Sequence, residues 1–95
     1  MEESYGFIEI TGVTAAMDAL DLMCKTADVE LITWERKLGG RLVTLVIQGR
    51  VAAVTEAVEI ANVKAIKKPV ASAVIARPHE EIVRLVQKSA GRLVP

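Results

Sequence analysis

The chain has 95 residues, 52% hydrophobic but only 3% aromatic, with 12 Lys and Arg balancing 12 Asp and Glu. That length suits one domain burying roughly 60 to 68% of its unfolded surface, and the even charge argues against a nucleic-acid binder with a broad phosphate-neutralising face. The single cysteine, Cys24, excludes an intrachain disulfide framework and a cysteine zinc cluster.

Tyr5 to Thr11 carries Phe7, Ile8 and Ile10 and stops at Gly12, which predicts a short strand followed by a turn. From Val13 to Ala27 the period changes: Ala16, Leu20, Met23 and Ala27 recur at helical spacing, while Asp18, Asp21, Lys25 and Asp28 form a polar stripe. This is an amphipathic helix with Thr14 as start signal, Asp21 and Lys25 as an i,i+4 pair, and Cys24 as a small core hydrophobe.

Val29 to Trp34 reads as a second strand and Leu42 to Gln48 as a third, buried one, joined by Glu35 to Arg41. A second helix runs from Val51 to about Lys64 on a face of Val54, Ala57, Val58 and Ala61, and Lys67-Lys68-Pro69 closes it. Val70 to Ala76 is a fourth strand. Arg77-Pro78 then turns into a terminal helix, His79 to about Ser89, using Ile82, Val83, Leu85 and Val86.

This order predicts an α+β, ferredoxin-like βαββαβ fold: a four-stranded antiparallel sheet, two helices on one face, and a short C-terminal helix. Residues 1–95 form one domain, with 91–95 as a flexible tail.

Few groups suit catalysis. His79 sits where capping or packing at a turn is its ordinary use, and the Asp stripe is a solvated face. The segment Lys37-Leu38-Gly39-Gly40-Arg41 matches neither the dinucleotide nor the phosphate-loop fingerprint. It reads as a hairpin turn or, if several copies meet at a symmetry axis, as a small ring of amides and cations suited to a pore. The acidic start Met1-Glu2-Glu3-Ser4 lacks signal-peptide regions. No apolar run nears the roughly 18 residues of a membrane helix, so a cytoplasmic protein without membrane partners is expected. Apolar surface beyond the needs of a modest core points to self-association.

In order and spacing, Gly6-Phe7-Ile8-Glu9, Ala15-Ala16 through Asp21-Leu22-Met23-Cys24-Lys25, Ala27-Asp28-Val29-Glu30-Leu31, Lys37 to Arg41, Val46-Ile47-Gln48-Gly49 and Val74-Ile75-Ala76-Arg77-Pro78-His79 resemble the hexamer-forming BMC-domain shell proteins of bacterial microcompartments. The resemblance implies a homohexamer that tiles with other shell proteins around encapsulated enzymes, with no catalytic activity, cofactor or metal. It places Lys37, Leu38, Gly39, Gly40 and Arg41 in a pore loop for small polar metabolites. Lys25, Asp28, Arg77, Pro78 and His79 fall at the hexamer–hexamer edge.

Arg41 stands where the family's last loop glycine is expected. Six guanidiniums about 5 Å apart would repel by roughly 0.8 kcal/mol per neighbouring pair in water, but about 3 kcal/mol at an effective dielectric near 20. Arg41 therefore either lines a hydrated, anion-favouring mouth or folds away to pair with a neighbouring subunit's carboxylate. A ligand-sensing or regulatory ferredoxin-like oligomer is the alternative reading of the whole chain.

Overall fold

Ile8 and Ile10 face one side of the first strand and Tyr5 and Phe7 the other, the two-residue period of an extended chain covered on both faces. The computed structural model describes residues 3–37, 39 and 41–92. In chain order it contains β1 (Ser4–Thr11), α1 (Val13–Thr26), β2 (Glu30–Arg36), β3 (Leu42–Gly49), α2 (Val51–Lys64), β4 (Ala71–Ile75) and α3 (Glu80–Gly91). The strands pair antiparallel in the order β2-β3-β1-β4, as the ferredoxin-like reading requires.

Helices α1 and α2 share one face of the sheet. There Ile8, Ile10, Val43, Leu45 and Ile47 meet Ala15, Ala16, Ala19 and Met23 of α1 and Val54, Ala57, Val58 and Ala61 of α2. Alanines at these positions let the helices lie close to each other and to the strands. The closest approach is at Gly6, where a Cβ would stand 2.8 Å from Val54 Cγ1 and 2.9 Å from Ile47 Cγ1. Helix α3 covers the opposite face, with Val86 buried beside Tyr5 and Val46, and with Ile82 and Val83 packed against Phe7 and Ile32.

Several expectations shift. Thr14 does not start α1: Gly12 occupies the cap position at φ 98, without a side-chain cap, so backbone freedom rather than a hydroxyl turns the chain. Cys24 is exposed rather than in the core, because the buried stripe runs through Ala16, Ala19 and Met23. Leu85 is likewise 64% exposed, since α3 meets the sheet through Ile82, Val83 and Val86.

β2 continues two residues past Trp34, because Glu35 and Arg36 find backbone partners opposite Thr44 and Val43. Pairing outweighs their weak strand propensity. The β2/β3 register shifts between Leu31 and Thr33, leaving Ile32 as an extra residue of a bulge. Helix α3 runs through Gly91, into the stretch read from sequence as the start of a loose tail.

Candidate functional site

The sheet has two chemically different ends. Ile75, Tyr5, Gln48 and Glu30 form one row across it, and Ile10, Val43 and Arg36 form another. At about 3.4 Å per residue the five steps from Tyr5 to Ile10 separate these rows by roughly 17 Å.

The hairpin expected to be a pore loop projects from the second row. Lys37 donates its backbone N–H to Leu42 O at 3.2 Å, closing the strand pair, and Gly12 donates to Arg41 O at 2.6 Å. Gly39 sits exposed at φ 95, a conformation that favours glycine. Lys37 and Arg41 are exposed, and the Arg36 guanidinium lies 5.4 Å from the centroid of the Trp34 ring. Leu38 and Gly40, the other two members of the expected loop, lie outside the described residues.

The residues assigned to the edge gather at the first row. Lys25 Nζ lies 2.9 Å from Asp21 Oδ2, both well exposed, and that hydrogen bond and charge push the Lys25 ammonium pKa upward. Partial burial, then the same carboxylate, raises the Cys24 thiol. Arg77 holds a left-handed backbone at φ 49, which disfavours any side chain with a Cβ. His79 caps α3: its Nδ1 accepts from Glu81 N–H at 3.0 Å, the capping use its sequence position suggested.

Arg77 and Pro78 line a depression of about 440 Å³ with Glu3, Tyr5, Gln48, Val83 and Gln87. Asp28 lines a neighbouring one of about 250 Å³ that shares Glu3 and Gln48, where Gln48 Nε2 donates to Glu30 Oε1 at 3.0 Å. Among the described residues no three His, Cys, Asp or Glu side chains are grouped as metal ligands, and no helix is long and apolar enough to cross a membrane.

One cluster escaped the sequence reading. The Thr33 and Ser89 hydroxyls lie 2.7 Å apart and buried, Ser89 also donates to Glu35 Oε2, and Arg92 Nη2 donates to that oxygen at 2.7 Å. These bonds tie α3 to β2, and the Ser89 hydroxyl, ahead of Arg92, holds the Glu35 carboxyl below its usual range. A threonine flanked by Ile32 and Trp34 was a visible signal, but its partner stands 56 residues away.

Residues 4–78 match the family model of the BMC domain, and the chain belongs to that family, the shell proteins of bacterial microcompartments. It is 37% identical over 89 residues to the bacterial microcompartment shell protein PduA of Citrobacter freundii, covering 92% of this chain and 95% of that protein. It is 40% identical over 81 residues to the carboxysome shell protein CsoS1A of Hydrogenovibrio crunogenus, covering 81% of this chain and 82% of the relative. A microcompartments protein from Desulfitobacterium hafniense DCB shares the fold at TM-score 0.78 and 22% identity; the match covers 94% of this chain and 49% of that one. The family match ends at Pro78, so α3 and the Ser89 and Arg92 side of its polar tether lie beyond it, while Thr33 and Glu35 lie within it.

Proposed function

We propose that six copies of this chain close into a ring, that rings tile edge to edge into a cytoplasmic microcompartment shell, and that the axis passes small polar metabolites. The role is structural and non-catalytic; the partners are other shell subunits and the enclosed enzymes. The observation that carries this reading is the placement of the Lys37–Arg41 hairpin and the Lys25–Arg77 group at opposite ends of one sheet. A wedge so built can point one end at an axis and the other at a rim.

Exposed apolar side chains add support. Val63, Ile66 and Val70, 76%, 69% and 63% exposed, cluster in sequence around the α2–β4 connection. Such surface is normally covered, and a six-fold ring covers it with a different patch of the next copy. At the rim, the Lys25–Asp21 pair is well exposed and readily exchanged for a contact across a seam.

Native mass spectrometry and electron microscopy test the reading: six subunits and flat arrays are expected. Lys25→Ala is expected to leave rings intact and impair arrays. A monomer at high concentration would overturn the ring, and dimers or trimers would favour the ligand-sensing alternative.

A further inference from the structure

The depression of about 440 Å³ beside Arg77 has the size of a small-molecule pocket. Four separate stretches of chain wall it: Glu3 and Tyr5 at the start of β1, Gln48 near the end of β3, Arg77 in the connection after β4, and Val83 and Gln87 on α3. Contacts outside the depression hold these walls in place. Tyr5 is 3% exposed and its ring meets Phe7 edge-on at 6.2 Å, while Gln48 Nε2 donates to Glu30 Oε1 at 3.0 Å, which fixes that amide. Gln87 stands two residues before Ser89, whose bonds to Thr33 and Glu35 tie α3 to β2. Arg77 keeps a backbone φ of 49, a conformation that costs free energy and concentrates at ligand sites.

Charge is divided across the depression. On one side it continues into a second, of about 250 Å³, that shares Glu3 and Gln48 and adds Asp28, Glu30 and Arg50, three carboxylates against one guanidinium. Arg77, Val83 and Gln87 line only the first. Across the sheet the row runs Ile75, Tyr5, Gln48, Glu30, so Arg77 follows the β4 end of that row and the acidic group lies toward β2.

We propose that this depression binds a small zwitterion with an apolar body, of which a free amino acid is the simplest. Its ammonium meets Glu3, its carboxylate meets Arg77, and its side chain lies against Tyr5 and Val83. A guanidinium grips a carboxylate with two parallel bonds, and the Gln48 and Gln87 amides add donors and acceptors between the two ends. A lone cation would face Arg77 and a lone anion would face the carboxylates, so each is rejected by a charge that the zwitterion satisfies. Every lining residue belongs to one copy, so the site stands independently of the ring.

The test titrates L-leucine, 4-methylpentanoate and 3-methylbutylamine against the purified full chain by saturation-transfer NMR. The three share one apolar body and carry both charged groups, the carboxylate alone and the ammonium alone. Leucine should bind saturably and each analogue about ten-fold more weakly, the effect of losing one charge-assisted bond. Glu3→Gln should weaken leucine without weakening 4-methylpentanoate, and Arg77→Gly, which also eases the backbone, should weaken leucine without weakening 3-methylbutylamine. Lys64→Ala, exposed at the end of α2 and equal to Arg77→Gly in charge change, should leave all three unchanged.

Absence of saturable leucine binding, analogues that bind as well as leucine, or Glu3→Gln and Arg77→Gly behaving as Lys64→Ala does would each overturn the inference. The comparison of three ligands on the wild-type chain needs no variant, so a variant that misfolds does not mask the result. Ring closure is read separately, from subunit number by native mass spectrometry.

Discussion

Gly12 N–H donates to the carbonyl oxygen of Arg41 at 2.6 Å, so the turn that launches α1 also holds the root of the β2–β3 hairpin. Gly12 makes that bond from φ 98, and a Cβ there would meet nothing within 4 Å. Gly12→Ala should therefore destabilise through backbone conformation alone, by about 1–2 kcal/mol. Urea denaturation would measure this, and hydrogen exchange at Lys37 N–H, which donates to Leu42 O, should report a looser hairpin.

At Gly6 the opposite holds: ordinary backbone but no space. A methyl group would press on Val54, Ile47 and Val58 together, all within the packed layer between the sheet and α2. Gly6→Ala is expected to cost about 1–3 kcal/mol as overpacking, read as a lower denaturation midpoint with unchanged slope.

Ser89→Ala should be expensive for a surface helix, because it leaves the Thr33 hydroxyl buried without its partner, at about 1–3 kcal/mol. It also removes the first cause of the depressed Glu35 pKa. A carboxyl whose folded value lies below its unfolded one, near 4.3, stabilises above that unfolded value, and the contribution is lost as pH falls through the folded value. Wild-type stability should thus decline more steeply than that of Ser89→Ala below about pH 4.3, as denaturation at a series of acid pH values would reveal.

Arg77 offers a comparison that isolates backbone from side chain. Arg77→Gly and Arg77→Ala both remove the guanidinium, but only glycine relaxes the left-handed φ of 49. The glycine variant should be the more stable of the two by about 1 kcal/mol. If the side chain crosses the seam between rings, both variants should lose flat arrays equally under the electron microscope.

Local pattern made most of the architecture readable. The Val54, Ala57, Val58 and Ala61 face of α2 is buried as its spacing predicts, and the Lys25–Asp21 pair follows from i,i+4 geometry. What escaped was set by partners distant in the chain. Leu85 falls at helical spacing from Ile82 yet is exposed, because α3 meets the sheet through Ile82, Val83 and Val86. The Thr33, Ser89, Glu35 and Arg92 tether joins residues 54 to 57 apart, and no local period encodes it. The residues expected at the edge, Lys25, Asp28, Arg77, Pro78 and His79, were brought forward by family resemblance, and the strand pairings set the segments that carry them at one end of the sheet.

The bulge at Ile32 works like a gear tooth. By adding one residue to β2, it sends both Ile32 and Thr33 toward α3 and returns Trp34 to the other layer. Excising it would join Leu31 opposite Ile47 directly to Thr33 opposite Val46 in an unbroken ladder, leave Glu35 facing Ser89, and take from α3 the side chain of Ile32 and from the strand its added twist.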